Sequence, residues 1–174
     1  MRVLLLAMPD TADVIDFFGK LPNLGLVNLA GNLPGHEVKV VDLVLHKPRV
    51  RRILEEVMAG FRPKLVGLSA MTFQFDTLLR VARFLRRWDP AIKLAAGGYH
   101  ATLMARELAA TGTDLPLDFL IRGEGEVTFR DLVNHLAEPG PDLSRIAGLS
   151  YRQGHTWAHN PDRPLLDLGT LPLP

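Results

Sequence analysis

Five short runs dominated by Val, Leu and Ile recur along the chain: RVLLLAM (2–8), HEVKVVDL (36–43), KLVGLSAM (64–71), IKLAAGG (92–98) and DFLIRG (118–123). The first, third and fourth are apolar almost without interruption, as strands covered on both faces of a parallel sheet are. Apolar residues recur at helical spacing over about 23–33, 49–60, 74–88, 101–111 and 126–137. This alternation predicts an α/β three-layer sandwich with right-handed crossovers. Pro22 and Pro48 open the first two helices, while GFRP and Asp89-Pro90 close the second and third.

For five parallel strands the expected fold is flavodoxin-like (Rossmann-like), in the order 2-1-3-4-5 with helices on both faces. Ligands bind such sheets at the carboxyl ends of the strands, around the switch point. The tail reads differently. IAGLSYRQGHTWAHN (146–160) predicts a β-hairpin turning at Gln153-Gly154, and PDRPLLDLGTLPLP is a proline-rich extended linker. The expected division is an α/β domain over 1–143 and a hairpin with linker over 144–174.

Composition narrows the function. A chain of 174 residues fits one ordinary domain; with 47% hydrophobic residues, 22% charged and a net charge of +1, nothing points to a nucleic-acid or membrane partner. Arginines gather at 49, 51 and 52 and at 80, 83, 86 and 87, and the second set falls mostly on one face of a predicted helix, which reads as a solvated face. There is no cysteine, which excludes disulfides, thiolate zinc sites and cysteine-ligated iron–sulfur clusters in this chain. The apolar run after Met1 is too short for a signal peptide or a membrane span, so a cytoplasmic protein is expected.

The loops after the strands carry the candidate chemistry. Gly97 and Gly98 remove two β-carbons where the fourth strand becomes a helix, which would let a flat ligand approach the main chain; a tight turn alone is the competing explanation. RGEGE (122–126) repeats the design after the fifth strand, although Glu126 also suits a helix N-terminus on dipole grounds. No GxGxxG follows the first strand and no GxxxxGK[ST] occurs, against a dinucleotide domain or a P-loop enzyme. A phosphoacceptor receiver domain needs an aspartate where Ser69 stands, and a flavin mononucleotide carrier needs a hydroxyl-rich first loop where only Thr11 is present.

Taken in order, PNLGLVNLAGNLPGHEVKVVDL, VGLSAMT, AAGGYHAT, DFLIRGEGEVTFRDLV, IAGLSYR and DLGTLPLP resemble the N-terminal cobalamin-binding domain of cobalamin-dependent radical S-adenosylmethionine enzymes. The resemblance covers practically the whole chain. It implies that the nucleotide tail of cobalamin runs into the sheet edge past the loops after strands 3, 4 and 5. Ser69 matches a motif whose hydroxyl lies near the dimethylbenzimidazole base, and Ala70, Met71 and Thr72 continue that loop. Gly97, Gly98 and Tyr99 match the segment that the tail passes. Arg122, Gly123, Glu124 and Gly125 match the segment lining the nucleotide or the next domain. Met8 and Asp10, with Asp13 and Asp16, come from the first loop, which would face the corrin.

Two departures refine what the resemblance implies. Cobalamin proteins of the mutase and methionine-synthase type carry Asp-x-His-x-x-Gly after strand 1; here MPDTADVIDFFG holds no histidine, His46 has the wrong spacing, and His100 belongs to the helix after the glycines. Base-off cobalamin without a histidine ligand follows, with no protein metal ligand and no catalytic residue in this chain. The family's CxxxCxxC motif is also absent, so S-adenosylmethionine and the four-iron, four-sulfur cluster are expected in a barrel domain of the same protein, beyond the linker. The function that the resemblance implies is the cobalamin module of such an enzyme, with methyl transfer as the reaction class. The alternative is a degenerate scaffold that binds no cobalamin, its cleft filled by Phe73, Phe75 and the VIDFF stretch.

Overall fold

In a computed structural model of the chain, residues 1–10, 23–167, 169 and 172 are described. They form β1 (Arg2–Ala7), α1 (Leu24–Gly31), β2 (Glu37–Asp42), α2 (Val50–Phe61), β3 (Leu65–Ser69), α3 (Phe75–Trp88) and β4 (Lys93–Gly97). There follow the short α4 (Tyr99–Leu103) and α5 (Ala105–Ala110), then β5 (Phe119–Ile121), α6 (Gly125–Ala137), β6 (Leu149–Gln153) and β7 (Thr156–His159). The strands β1 to β5 are parallel and lie in the expected order 2-1-3-4-5. The α/β, flavodoxin-like reading is therefore borne out.

The hairpin extends the sheet. β6 pairs antiparallel with β5 and β7 with β6, so the sheet has seven strands where five were expected. Without β6 the short β5 would be an open edge with unpaired main-chain groups, and the core would lose Leu149 and Tyr151, both buried. Gln153 pairs with Thr156, so the turn residues are Gly154 and His155, one position later than predicted. Gly154 supplies the positive φ (+61°) that such a turn requires. The helix expected over 101–111 is divided at Met104, whose φ of −110° and ψ of 18° leave the helical region.

Alternation along β1 builds both halves of the core, because successive side chains of a strand face opposite ways. Val3, Leu5 and Ala7 pack with Leu26 and Phe129 under α1 and α6, whereas Leu4, Leu6 and Met8 pack with Leu54 and Leu78 under α2 and α3. The arginines have ordinary roles where they are paired. Arg51 and Arg52 bridge Glu55 and Glu56 one turn on, and Arg86 ties the end of α3 to Asp118 at 2.6 Å. No helix among the described residues is long and apolar enough to cross a membrane.

A polar network locks the hairpin to β5. The buried Ser150 hydroxyl accepts from the Arg122 guanidinium and lies within hydrogen-bonding distance, 2.8 Å, of His159 Nδ1. Burial first, then the charges of Arg122 and Arg106, hold the His159 pKa below its ordinary value. With a depressed folded pKa the unfolded chain takes up the proton first, so this contribution is present above about pH 6.5 and is lost as pH falls. Denaturation between pH 7 and pH 5 is expected to show a larger loss of stability for the parent than for His159→Gln. Equal losses would contradict the assignment.

Candidate functional site

β3 and β4 run side by side with Gly67 opposite Ala95 and Ser69 opposite Gly97. Residues two apart share a face of a strand, so these four small residues form a bare shelf about 7 Å along the strands, facing α1 and α6. Leu5 of β1 and Ile121 of β5 bound the shelf, and Leu26 and Leu29 of α1 with Phe129 of α6 roof it. The cavity has a volume of about 250 Å³ and opens at the carboxyl ends of the strands, where Gly98, Gly123, Glu124 and Glu126 line it.

The glycines do different work. A β-carbon on Gly67 would lie 2.8 Å from Leu5 Cδ2 and 3.0 Å from Phe129 Cζ, so these side chains close the inner end of the cavity. At Gly97 the nearest heavy atom to such a carbon is Ile121 Cβ at 3.7 Å, an ordinary contact, and the space above is cavity. Gly98 is bare for the backbone's sake: its φ is +93°, and a β-carbon would meet the Ala70 carbonyl oxygen at 2.7 Å. The tight-turn explanation fits Gly98, while at Gly97 the missing β-carbon leaves the floor of the cavity bare.

Side chains tie the loops around the mouth. Thr102 Oγ1 donates to the Gly98 carbonyl at 3.0 Å and accepts from the Gly123 amide at 3.1 Å, joining the loops after β4 and β5. Gln74 accepts from the Met71 amide and donates to the Asp10 carbonyl at 2.6 Å, joining the loops after β3 and β1. Beyond β7 the chain returns across α6, where Arg163 pairs with Asp131 at 2.6 Å and the Leu166 amide donates to Glu124 at 2.8 Å.

Of the residues singled out in the sequence, Ser69, Gly97, Gly98, Gly123, Glu124 and Gly125 meet at the cavity. Among the described residues the Ser69 hydroxyl has no hydrogen-bond partner. Ala70 is buried behind Gly98, and Met71, Thr72 and Tyr99 are exposed beyond the ends of their strands. Met8 is buried in the core under α2 and α3, away from the shelf, while Asp10 has one carboxylate oxygen buried without a partner. Asp13, Asp16 and the VIDFF stretch lie outside the described residues. Gly67, Ala95 and Thr102 escaped the sequence reading. A glycine inside a buried strand was the available signal for the first, since it often marks the close approach of a ligand or backbone.

Arg122 points elsewhere. Its guanidinium, 11% exposed, donates to the Ser150 hydroxyl, the Asn160 carbonyl and Asp162, and so fastens the β6–β7 extension. Arg122→Met is expected to lower the unfolding free energy by about 2 kcal/mol, the scale of hydrogen bonds to a charged group. Urea denaturation measures that loss, and ligand affinity in the cavity is expected to stay within about twofold. A large loss of affinity with unchanged stability would contradict this placement.

The B12 binding domain family matches residues 11–133. An uncharacterized methyltransferase of Pyrococcus horikoshii is 30% identical over the whole of this chain, which spans 38% of that protein. The anaerobic magnesium-protoporphyrin IX monomethyl ester cyclase of Synechocystis sp. is 31% identical over 88% of this chain, which spans 31% of it. Among solved structures, the radical S-adenosylmethionine methyltransferase TsrM from Kitasatospora setae, with cobalamin and a [4Fe-4S] cluster bound, aligns with a TM-score of 0.76. That alignment has 23% identity and covers 92% of this chain and 30% of TsrM, so it speaks for the fold. With the family match covering most of the chain and the shelf of Gly67, Ser69, Ala95 and Gly97 lying within it, the chain belongs to the B12 binding domain family.

Proposed function

We propose that the chain binds cobalamin base-off, with the nucleotide tail in the cavity and the lower base on the shelf of Gly67, Ser69, Ala95 and Gly97. The observation that carries this reading is the shelf itself: small residues on two buried strands leave an open floor over Ser69 and Gly97, closed at the Gly67 end by Leu5 and Phe129. The fit extends to polarity, because the Ser69 hydroxyl at the cavity can donate to a ring nitrogen. Phe75 is buried in the opposite core and stacks on His100 at 4.2 Å, while Phe73 is 62% exposed. Neither of these two phenylalanines fills the cavity, so this part of the degenerate-scaffold reading finds no support.

The lower base needs no place on the cobalt. Among the described residues no histidine lines the cavity, His46 lies in the turn after β2, and the sequence of residues 11–22 contains none. At the mouth the exposed Met71, Phe73 and Tyr99 offer apolar surface to the corrin or to a covering domain. Bound cobalamin would supply a cobalt-held methyl group; the protein's part is to bind the tail, orient the ring and exclude water from the base.

The reading extends to the whole protein as the cobalamin module of a cytoplasmic radical S-adenosylmethionine enzyme, with methyl transfer as the reaction class. The chain has no cysteine, so a cluster and S-adenosylmethionine belong in a barrel domain of the same protein. The named relatives support this, since the chain spans little more than a third of their length at most. Titration with hydroxocobalamin, followed by gel filtration and the visible spectrum, is expected to give retained cofactor with a base-off spectrum. No retention, or a base-on spectrum, would contradict it.

A further inference from the structure

The inner end of the cavity differs chemically from its mouth. Gly67 lies two residues inward of Ser69 along β3, about 6.6 Å at the rise of a strand. The polar side chains of the lining, Ser69, Glu124 and Glu126, come from the carboxyl end of β3 and the start of α6. Around Gly67 stand Leu5, Ala95 and Phe129, which bring no side-chain donor or acceptor. The main-chain groups of Gly67 and Ala95 lie within paired strands, β3 between β1 and β4, β4 between β3 and β5.

We infer that this apolar inner end selects the corrinoid by its lower base, accepting a methylated benzimidazole and discriminating against a purine. The inference rests on the tail-in-cavity reading above. A base entering from the mouth leads with the edge farthest from its sugar, which is the six-membered ring of the fused pair. In dimethylbenzimidazole that edge carries two methyl groups, matched to Leu5 and Phe129. In adenine it carries a ring nitrogen and an exocyclic amine, both hydrogen-bonded in water and both without a side-chain partner beside Gly67. A buried polar group left unpaired costs enough to weaken binding about five- to 150-fold. At the other end both bases keep their five-membered ring near Ser69, so the hydroxyl does not separate them.

The test measures dissociation constants of the purified protein for cobalamin and for the otherwise identical adenine-based cobamide, from the change in the visible spectrum. The account expects cobalamin to bind at least about tenfold more tightly. Ala95→Ser places a hydroxyl on the inner shelf and is expected to narrow that gap several-fold, with circular dichroism checking that the variant is folded. Equal affinities, a preference for adenine, or a gap that Ala95→Ser leaves unchanged would overturn the inference while leaving the tail-in-cavity reading standing. Failure of both cobamides to bind would overturn the reading on which it rests.

Discussion

Gly97→Leu is expected to abolish cobalamin retention while leaving the fold intact. The position sits in β4 outside the left-handed region, and a β-carbon there meets only Ile121 at 3.7 Å, so the strand tolerates a side chain. The leucine would then project into the space above the shelf, a cavity of about 250 Å³. It would bury apolar surface against Ile121 and the roof, which favours folding. A ligand displaced from its floor loses the contacts of the whole base, and affinity is expected to fall by about 100-fold or more, the scale set by buried aromatic surface. Spectroscopic titration and thermal denaturation, run side by side, check both halves. Undiminished binding in a folded variant would place the tail elsewhere.

The neighbouring glycine predicts the opposite pattern. Gly98→Ala is expected to destabilise the domain by about 3 kcal/mol, since its φ of 93° and ψ of −170° lie in a region that only glycine occupies at low cost. The new methyl would also press on the Ala70 carbonyl, a main-chain atom that cannot turn aside as a flexible side chain can. The urea midpoint should fall well below that of Gly97→Leu. A Gly98→Ala protein as stable as the parent would show that the backbone at the β4–α4 junction is not held as described.

What the chain reveals before folding is the part fixed by local chemistry. The uninterrupted apolar runs of β1, β3 and β4 specify burial on both faces, and the glycines at 97, 98, 123 and 125 announce the loops that shape the cavity mouth. Register is not local. Gly67 and Ala95 become a shelf only because they stand opposite each other across two strands separated by a helix, with Leu5 alongside. Arg122 is misleading for a related reason. It follows β5 directly and so seems to belong to the mouth, but the antiparallel β6 offers Ser150 on the other side, and the guanidinium turns there. The attachment of the hairpin to β5 likewise depends on an edge that exists only once the sheet is built.

The central claim is that the cavity over Gly67, Ser69, Ala95 and Gly97 receives the lower base of cobalamin. The most direct measurement is a crystal structure of the protein with cobalamin bound. The account predicts the dimethylbenzimidazole ring over Ser69 and Gly97, with its methyl edge toward Leu5 and Phe129, a ring nitrogen within hydrogen-bonding distance of Ser69 Oγ, and no histidine on the cobalt. A base still coordinated to cobalt, or lying outside an empty cavity, would contradict it.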